Sequence, residues 1–213
     1  MKSNLSFINV YKKANIKSEI VTQLLYGDQF KKIIEKKSWI KIKNESDQYK
    51  GFVKKSNFLS DKKNTHKVYK LSASLYSKPR IKNKVKKKLS FGSKISVIEK
   101  KGNFYKFDNL WIKKNDLKKI NFRSKNIFNN IKKFIGIKYK WGGKHFSGID
   151  CSALVQLHVN FNNRFCPRDS KDQIKFFKKK VKLDLDNVKR NDLIFWKGHV
   201  ALVVSKKNYK QNI

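Results

Sequence analysis

Short runs in the first half of the chain alternate apolar residues with lysine, as in Trp39-Ile40-Lys41-Ile42. This alternation has the two-residue period of β-strands that bury one face. Gly27 and Gly92 lie between such runs, at points where a tight turn is needed. The pattern predicts small all-β units in this half of the chain.

The same pattern occurs twice, with Gly27 and Gly92 about 65 residues apart. The turn segments of the two copies are Leu24-Leu25-Tyr26-Gly27-Asp28 and Leu89-Ser90-Phe91-Gly92-Ser93. They are followed by Ile34-Glu35-Lys36-Lys37 and Ile98-Glu99-Lys100-Lys101, and each copy closes with a short aromatic segment, at 51–58 and at 110–117. The repeat therefore predicts one unit over residues 1–61, a second over 65–119, and a different region over 123–213.

The third region changes to the periodicity of helices. Ile127, Ile131, Phe134 and Ile135 have the spacing of one helix face, and Gly136 is expected to end that helix. A second helix is expected to begin at Cys151, and Ser170 is expected to cap a short third one. Apolar runs at 193–196 and 200–204 are typical of strands. Helices followed by antiparallel strands indicate the α+β class.

Lysine supplies most of the net charge of +38, since only five of the 53 basic residues are arginine. Proteins that read bases depend on arginine for bidentate contacts. The lysines are also spread over the whole chain, and the composition is typical of an AT-rich genome. We therefore expect a solvated lysine-rich surface and no specific nucleic-acid partner. A real affinity for polyanions, such as cell-wall polymers or nucleic acid, is the open alternative.

Two cysteines, Cys151 and Cys166, are too few for a disulfide framework, although one bridge between them is conceivable. No stretch approaches the roughly 20 apolar residues that span a bilayer. The segment 1–10 lacks the apolar run of a signal peptide. These features favour a cytoplasmic location, with a periplasmic or secreted one as the alternative if the N-terminus is incomplete.

Cys151 lies where a helix is expected to begin, directly after a glycine-rich loop at 139–149. The free N–H groups and the positive end of the helix dipole lower the pKa of a thiol placed there. The same N–H groups can stabilise an oxyanion. His199 follows Gly198 between two expected strands, where its side chain can project toward the helix. The pair predicts a cysteine nucleophile with a histidine base.

The ordered motifs of the third region resemble the NlpC/P60 family of cysteine peptidases. They are Tyr139-Lys140-Trp141-Gly142-Gly143, Asp150-Cys151-Ser152, Asn191-Asp192-Leu193-Ile194-Phe195-Trp196 and Gly198-His199-Val200-Ala201-Leu202. The two repeats are similar to bacterial SH3-like domains, through the Leu-Leu-Tyr-Gly-Asp turn and the closing Gly51-Phe52-Val53 strand. The resemblance implies two small SH3-like β-barrels followed by a papain-like NlpC/P60 catalytic domain. It also implies that the domain is truncated or minimal at its C-terminal end.

This domain order is similar to that of the γ-D-glutamyl-L-diamino-acid endopeptidases, which are cofactor-free. The resemblance implies a murein peptide or peptidoglycan as substrate, cut between D-Glu and diaminopimelate through a thioester. It makes Cys151 the nucleophile and His199 the base. Gln211, twelve residues past the base, takes the position of the residue that orients the imidazole.

The same resemblance implies residues that hold a free N-terminal L-Ala. Asp150 and Ser152 match the positions beside the nucleophile, and Ser170 matches a further substrate contact. Tyr49 and Glu19 are the residues of the first unit expected in the pocket. Helix capping is the alternative for Asp150 and Ser170, and an ordinary surface role is the alternative for Tyr49 and Glu19. Trp141 is expected to pack beneath its loop, and His158 to pack inside.

Two other functions remain open at this point. One is an amidase or acyltransferase that acts on another substrate. The other is an inactive or weakly active basic protein that binds cell wall or polyanions through its SH3-like units.

Overall fold

The computed structural model of the protein describes residues 1–56, 58–59, 62–177, 181–184 and 186–205. This part of the chain is mostly β, with few helices. None of its helices has both the length and the apolar character needed to cross a membrane.

The first region forms one antiparallel sheet of five strands. They are β1 (Phe7–Tyr11), β2 (Ile20–Leu25), β3 (Phe30–Lys36), β4 (Trp39–Asn44) and β5 (Lys50–Lys54). The strand order is β2-β1-β5-β4-β3. As the alternation predicts, Ile40 and Ile42 of β4 are buried, together with Val10, Leu24, Phe30 and Val53.

The second region carries eight short strands in its described residues. They are β6 (His66–Val68), β7 (Ser72–Tyr76), β8 (Lys84–Ser90), β9 (Lys94–Ile95), β10 (Glu99–Lys101), β11 (Phe104–Phe107), β12 (Leu110–Lys113) and β13 (Leu117–Lys119). Five of them form a sheet in the order β10-β11-β12-β7-β8, and the others form a sheet in the order β13-β6-β9. Short 3-10 helices occupy Ile81–Asn83 and Lys114–Asp116.

The sequence repeat is visible in the strand order of the two large sheets. In the first sheet β2 is followed by its hairpin partner β1, then by the closing strand β5, then by β4 and the edge strand β3. The second sheet has the same order, from β8 through its hairpin partner β7, the closing strand β12 and β11 to the edge strand β10. Gly27 and Gly92 occupy corresponding turns with φ of 79° and 87°, the left-handed region that favours glycine. Both sheets have two distinct edge strands among the residues described, so neither closes into a barrel there.

The third region places one long helix against a hairpin. Its elements are β14 (Lys144–His145), β15 (Gly148–Ile149), α1 (Cys151–Phe161), α2 (Ser170–Phe176), β16 (Leu193–Trp196) and β17 (His199–Leu202). β16 and β17 pair antiparallel. Val155 and Val159 of α1 pack against Val200 of β17. The helix that begins at Cys151 and the two C-terminal strands are therefore confirmed.

The helix predicted around 127–135 is wrong. The structure has turns there and a single 3-10 helix, Ile131–Phe134. The Asn126 side chain accepts a hydrogen bond from the backbone N–H of Phe128 at 3.0 Å, which is a turn that competes with helix formation. Of the four residues on the predicted face, Ile131 and Phe134 are buried, whereas Ile127 is half-buried and Ile135 is 79% exposed.

Candidate active site

Cys151 is the first residue of α1 and is partly exposed, with a free thiol. Asp150 is the N-cap of this helix, and its Oδ1 accepts from the backbone N–H of Ala153 at 2.8 Å. Its Oδ2 accepts from the backbone N–H of Gly142 at 3.0 Å. One carboxylate therefore joins the start of the nucleophile's helix to the glycine-rich loop.

Arg168 holds the same carboxylate from the other side. Its Nη1 and Nη2 lie 3.0 and 2.5 Å from Oδ1 and Oδ2 of Asp150, and both side chains are buried. Nη1 also donates to Ser152 Oγ at 2.9 Å, and Nε donates to Thr22 Oγ1 of β2 at 2.7 Å. Asp150 and Ser152, expected to contact substrate, are therefore engaged in a buried network that fixes the helix start.

His199 is the first residue of β17, directly after Gly198, whose φ is 77°. Its ring lies 4.7 Å from that of Trp196 and 6.3 Å from that of Tyr139, measured between centroids. Tyr139 lies close enough to Cys151 and Asp150 for their charges to affect it. Partial burial, followed by the negative charges of Cys151 and Asp150, raises the pKa of Tyr139. Tyr139 therefore lies near both members of the predicted pair.

Tyr139 belongs to one of the sequence motifs, but no role was predicted for it. The signal that was available is a tyrosine at the start of the loop that leads to the nucleophile.

Two residues of the first region, Glu19 and Tyr49, contact the third region. Glu19 Oε1 accepts from Trp141 Nε1 at 3.0 Å. The hydrogen bond from Lys12, followed by that from Trp141, lowers the pKa of Glu19 and keeps it ionised. The Tyr49 hydroxyl donates to Asp169 Oδ2 at 3.2 Å, and burial followed by the charge of Asp169 raises the pKa of Tyr49. The first region therefore borders the site.

The loop before the nucleophile lies directly on β2. A Cβ on Gly142 would be 2.3 Å from the backbone oxygen of Ile20, and φ of Gly142 is 70°. Gln23 Oε1 accepts from the backbone N–H groups of Lys144 and His145, at 2.8 and 3.1 Å. Trp141 itself is 61% exposed, so the prediction that it packs beneath the loop is wrong.

Three further predictions have different outcomes. Ser170 is the first residue of α2 and Asp169 is its N-cap, so the expected capping role of Ser170 is wrong. Gln211 lies outside the described residues. The inward packing of His158 is confirmed: it is buried, its Nδ1 lies 2.8 Å from the Leu154 oxygen, and its ring contacts that of Phe134.

The remaining titratable groups near α1 are poor catalysts. His145 is buried between the rings of Phe7 and Phe146, and burial lowers its pKa to about 4. Cys166 is fully buried, and burial followed by the charge of Asp47 raises its pKa to about 12. Cys151 is the partly exposed thiol of the described residues, and its place at the start of α1 suits acyl transfer.

Comparison with known proteins gives two family matches. The NlpC/P60 family matches residues 136–212, and the bacterial SH3 domain matches residues 4–60. The chain is 24% identical to dipeptidyl-peptidase 6 of Lysinibacillus sphaericus, over 94% of this chain and 83% of that protein. It is 26% identical to the gamma-D-glutamyl-L-lysine dipeptidyl-peptidase of Bacillus subtilis, over 87% of this chain and 69% of that protein.

A crystal structure of an NlpC/P60 family protein from Bacillus cereus superposes with a TM-score of 0.78. The two chains are 20% identical, and the match covers 95% of this chain and 87% of the other. At this identity the likeness shows the fold.

Proposed function

The chain joins a bacterial SH3 domain to an NlpC/P60 domain and is a cysteine-type peptidase, and we propose that it cuts murein peptides after a γ-linked D-Glu. The observation that carries the proposal is the placement of the partly exposed Cys151 at the start of α1, near Tyr139, whose ring neighbours that of His199. The dipeptidyl-peptidase names of the relatives support release of an N-terminal dipeptide. The released product is then L-Ala-γ-D-Glu.

In the proposed reaction the Cys151 thiolate attacks the γ-carbonyl carbon of D-Glu, and the carbonyl oxygen becomes an oxyanion. Free N–H groups at the start of α1 stabilise that charge. Imidazolium at His199 gives its proton to the leaving amine as the C–N bond breaks, which leaves a thioester on Cys151. His199 then takes a proton from water, the hydroxide attacks the thioester, and the thiolate is released with the dipeptide. Imidazole–thiolate chemistry of this kind needs no cofactor.

Glu19 is the carboxylate best suited to hold the substrate's terminal ammonium. It is ionised, its side chain is 40% exposed, and Trp141 holds one of its oxygens beside the loop that carries Gly142. Tyr49 lines the same border through Asp169. The oxygens of Asp150 already accept five hydrogen bonds, from Gly142, Ser152, Ala153 and both terminal nitrogens of Arg168. Asp150 and Ser152 therefore act on substrate by shaping the site.

The proposal includes the domain organisation. The shared strand order supports a second SH3-like unit at 65–119, after one at 1–61. The nucleophile helix packed against the strand that begins with His199 supports a papain-like catalytic domain at 123–213.

The test uses L-Ala-γ-D-Glu-diaminopimelate, the same peptide with L-Lys in third position, and both peptides acetylated at L-Ala. We expect release of L-Ala-D-Glu from at least one free peptide. Acetylation should abolish turnover, because it converts the terminal ammonium into a neutral amide that cannot pair with Glu19. Cys151→Ala should abolish turnover and keep the melting temperature. Turnover that survives Cys151→Ala refutes the nucleophile, and equal turnover of acetylated peptides refutes the role of Glu19.

A further inference from the structure

One face of the large sheet in the second region carries a row of in-register residues across four strands. Lys106 pairs with Trp111, Trp111 pairs with Tyr76, and Tyr76 pairs with Lys84. Beyond Lys106 the register continues to Glu99 of β10. Residues directly opposite each other in antiparallel strands point to the same face. At about 4.8 Å per strand the row spans roughly 14 Å. Lys101 and Lys113, which flank Phe104 in register, form the next row of this face.

The aromatic rings of this face are covered by lysine. Tyr76, Phe104 and Trp111 form a cluster of their own and are 4, 9 and 6% exposed. The Nζ of Lys106 lies 5.6 Å from the Trp111 ring centroid, and that of Lys113 lies 5.9 Å from the Tyr76 ring centroid. The lysine stems pack on the rings and hold the ammonium groups outward, which is the usual arrangement of an amphipathic side chain.

The positive charge of this face continues onto the edge strand of the sheet. β8 is an edge strand, and Lys84, Lys86 and Lys87 on it are exposed. The sequence has no Asp or Glu between residues 62 and 98. Of Lys84, Lys101, Lys106 and Lys113, only Lys106 has a carboxylate within 4 Å among the described residues, that of Glu99 at 3.2 Å. We call these four lysines and the exposed lysines of β8 the lysine face.

The corresponding face of the first region is a natural comparison, because the strand order is the same. Lys36, Lys41 and Lys54 there take the places of Lys101, Lys106 and Lys113, and Lys41 lies 5.7 Å from the Phe52 ring centroid. Ile20 takes the place of Lys84, as the register partner of Tyr11. β2 also contacts the catalytic region through Thr22 and Gln23, so its side of the sheet adds no lysine row.

We propose that the lysine face of the second region binds a base-free polyol phosphate polymer of the cell wall. Each of the two rows places a lysine at both ends, and those of the longer row are about 14 Å apart. Together with the exposed lysines of β8, these ammonium groups, most of them without a carboxylate partner among the described residues, complement a linear chain of phosphodiesters. This binding is separate from the peptidase reaction: it would hold the enzyme at the wall.

Nucleic acid fits this face less well. Binding of single strands without sequence preference relies on exposed rings on which bases stack, and the three rings here are covered. The two in-register rows that form the face contain no arginine for base edges. The lysine face therefore offers charge and no accessible ring on which a base could stack. A polymer without bases can use all of the contacts that this face provides.

The test measures binding of poly(glycerol phosphate) and of oligodeoxythymidine with the same number of phosphates, as a function of salt. The variant Lys101→Gln/Lys106→Gln/Lys113→Gln is compared with Lys36→Gln/Lys41→Gln/Lys54→Gln, which makes the same charge change on the matched face. Lys84→Gln/Lys86→Gln/Lys87→Gln removes only exposed lysines and tests the edge without touching the ring cluster. Melting temperature and tripeptide turnover are recorded for all proteins.

We expect both second-region variants to bind poly(glycerol phosphate) at least tenfold more weakly near 0.1 M salt. For three lost contacts, the slope of log affinity against log salt should become shallower by about 2. The first-region variant should change affinity less than twofold, and turnover should stay unchanged in all three. An equal loss in the first-region variant, or no loss in the β8 variant, overturns the assignment to this face. Tighter binding of oligodeoxythymidine than of poly(glycerol phosphate) overturns the choice of partner.

Discussion

The two cysteines show at the scale of single residues how surroundings decide chemistry. Cys151 is partly exposed at a helix start, near Tyr139. Cys166 is 0% exposed and packs with Val155 and Val159. Burial holds its pKa near 12, so it stays a protonated thiol at any physiological pH.

We therefore predict that iodoacetamide at neutral pH labels Cys151 and leaves Cys166 unmodified in the folded protein. Mass spectrometry after proteolysis should show one modified cysteine, and turnover should be lost in proportion to that labelling. Cys166→Ala is the control: it should keep both the labelling and the turnover. Modification of Cys166 at a comparable rate would show that its pocket opens to solvent.

The predicted roles of Cys151 and His199 rest on short motifs that can be read locally. The contact with Arg168 that Asp150 and Ser152 make could not be predicted from sequence, because Arg168 is sixteen or more residues away. The structure shows the capping role of Asp150, and its contact with substrate stays a prediction. The contact with Arg168 depends on packing that the linear order does not contain.

At the scale of elements, the start of α1 depends on one buried ion pair. Arg168 makes a fork to both oxygens of Asp150 and reaches Thr22 on β2 with its third nitrogen. Asp150 caps the helix and fixes the loop through Gly142. A single side chain thus joins the nucleophile's helix, its loop and the first region.

We predict that Arg168→Met destabilises the protein by about 3–5 kcal/mol, because it leaves the Asp150 carboxylate buried without its partner. Arg168→Lys should recover only part of this, since lysine cannot reproduce the fork. Arg164→Met, at an exposed arginine nearby, should change stability little. Denaturant unfolding measures all three. If Arg168→Met and Arg164→Met unfold at the same denaturant concentration, the pair does not hold the helix start.

The periodicity of apolar residues predicts some elements of this protein correctly and not others. The alternation of β4 and the apolar runs of β16 and β17 give strands because each element is regular enough to be read alone. The segment at 127–135 has helical spacing, yet asparagine side chains such as Asn126 bond the backbone and produce turns. Apolar spacing predicted the burial of Ile131 and Phe134 but missed the buried Phe128 and the exposure of Ile135, because the backbone there is not a regular helix.

At the scale of the whole molecule, the three regions meet at Asp28. This carboxylate of the first region is 4% exposed, and Lys94 of the second region lies 3.1 Å from its Oδ1. Lys144 of the third region, 3% exposed, lies 3.9 Å from its Oδ2. Lys94 and Lys144 lie 66 and 116 residues beyond Asp28 in the sequence, so no local pattern reveals the junction.

The charge of Asp28 is maintained by that junction. Burial alone would raise the pKa of Asp28, but the charges of Lys94 and Lys144 outweigh it and lower the pKa below 3.8. A carboxyl whose pKa is lower in the folded than in the unfolded state stabilises the fold above the unfolded pKa. That stabilisation is lost as the pH falls below about 4 toward the folded pKa.

We predict that Asp28→Asn destabilises the protein by about 3–5 kcal/mol at pH 7, because two lysines, one of them fully buried, lose their carboxylate. For a chain of this size that loss corresponds to a fall of roughly 10 °C in melting temperature. Glu35→Gln is a matched control, since Glu35 also pairs with two lysines, Lys32 and Lys55, but on the surface, where such pairs contribute little. Melting curves of the three proteins between pH 7 and pH 3 should show the gap between wild type and Asp28→Asn closing as the pH falls below 4. A gap that persists unchanged at pH 3, or a Glu35→Gln loss as large as that of Asp28→Asn, would mean that the junction owes its stability to packing and not to charge.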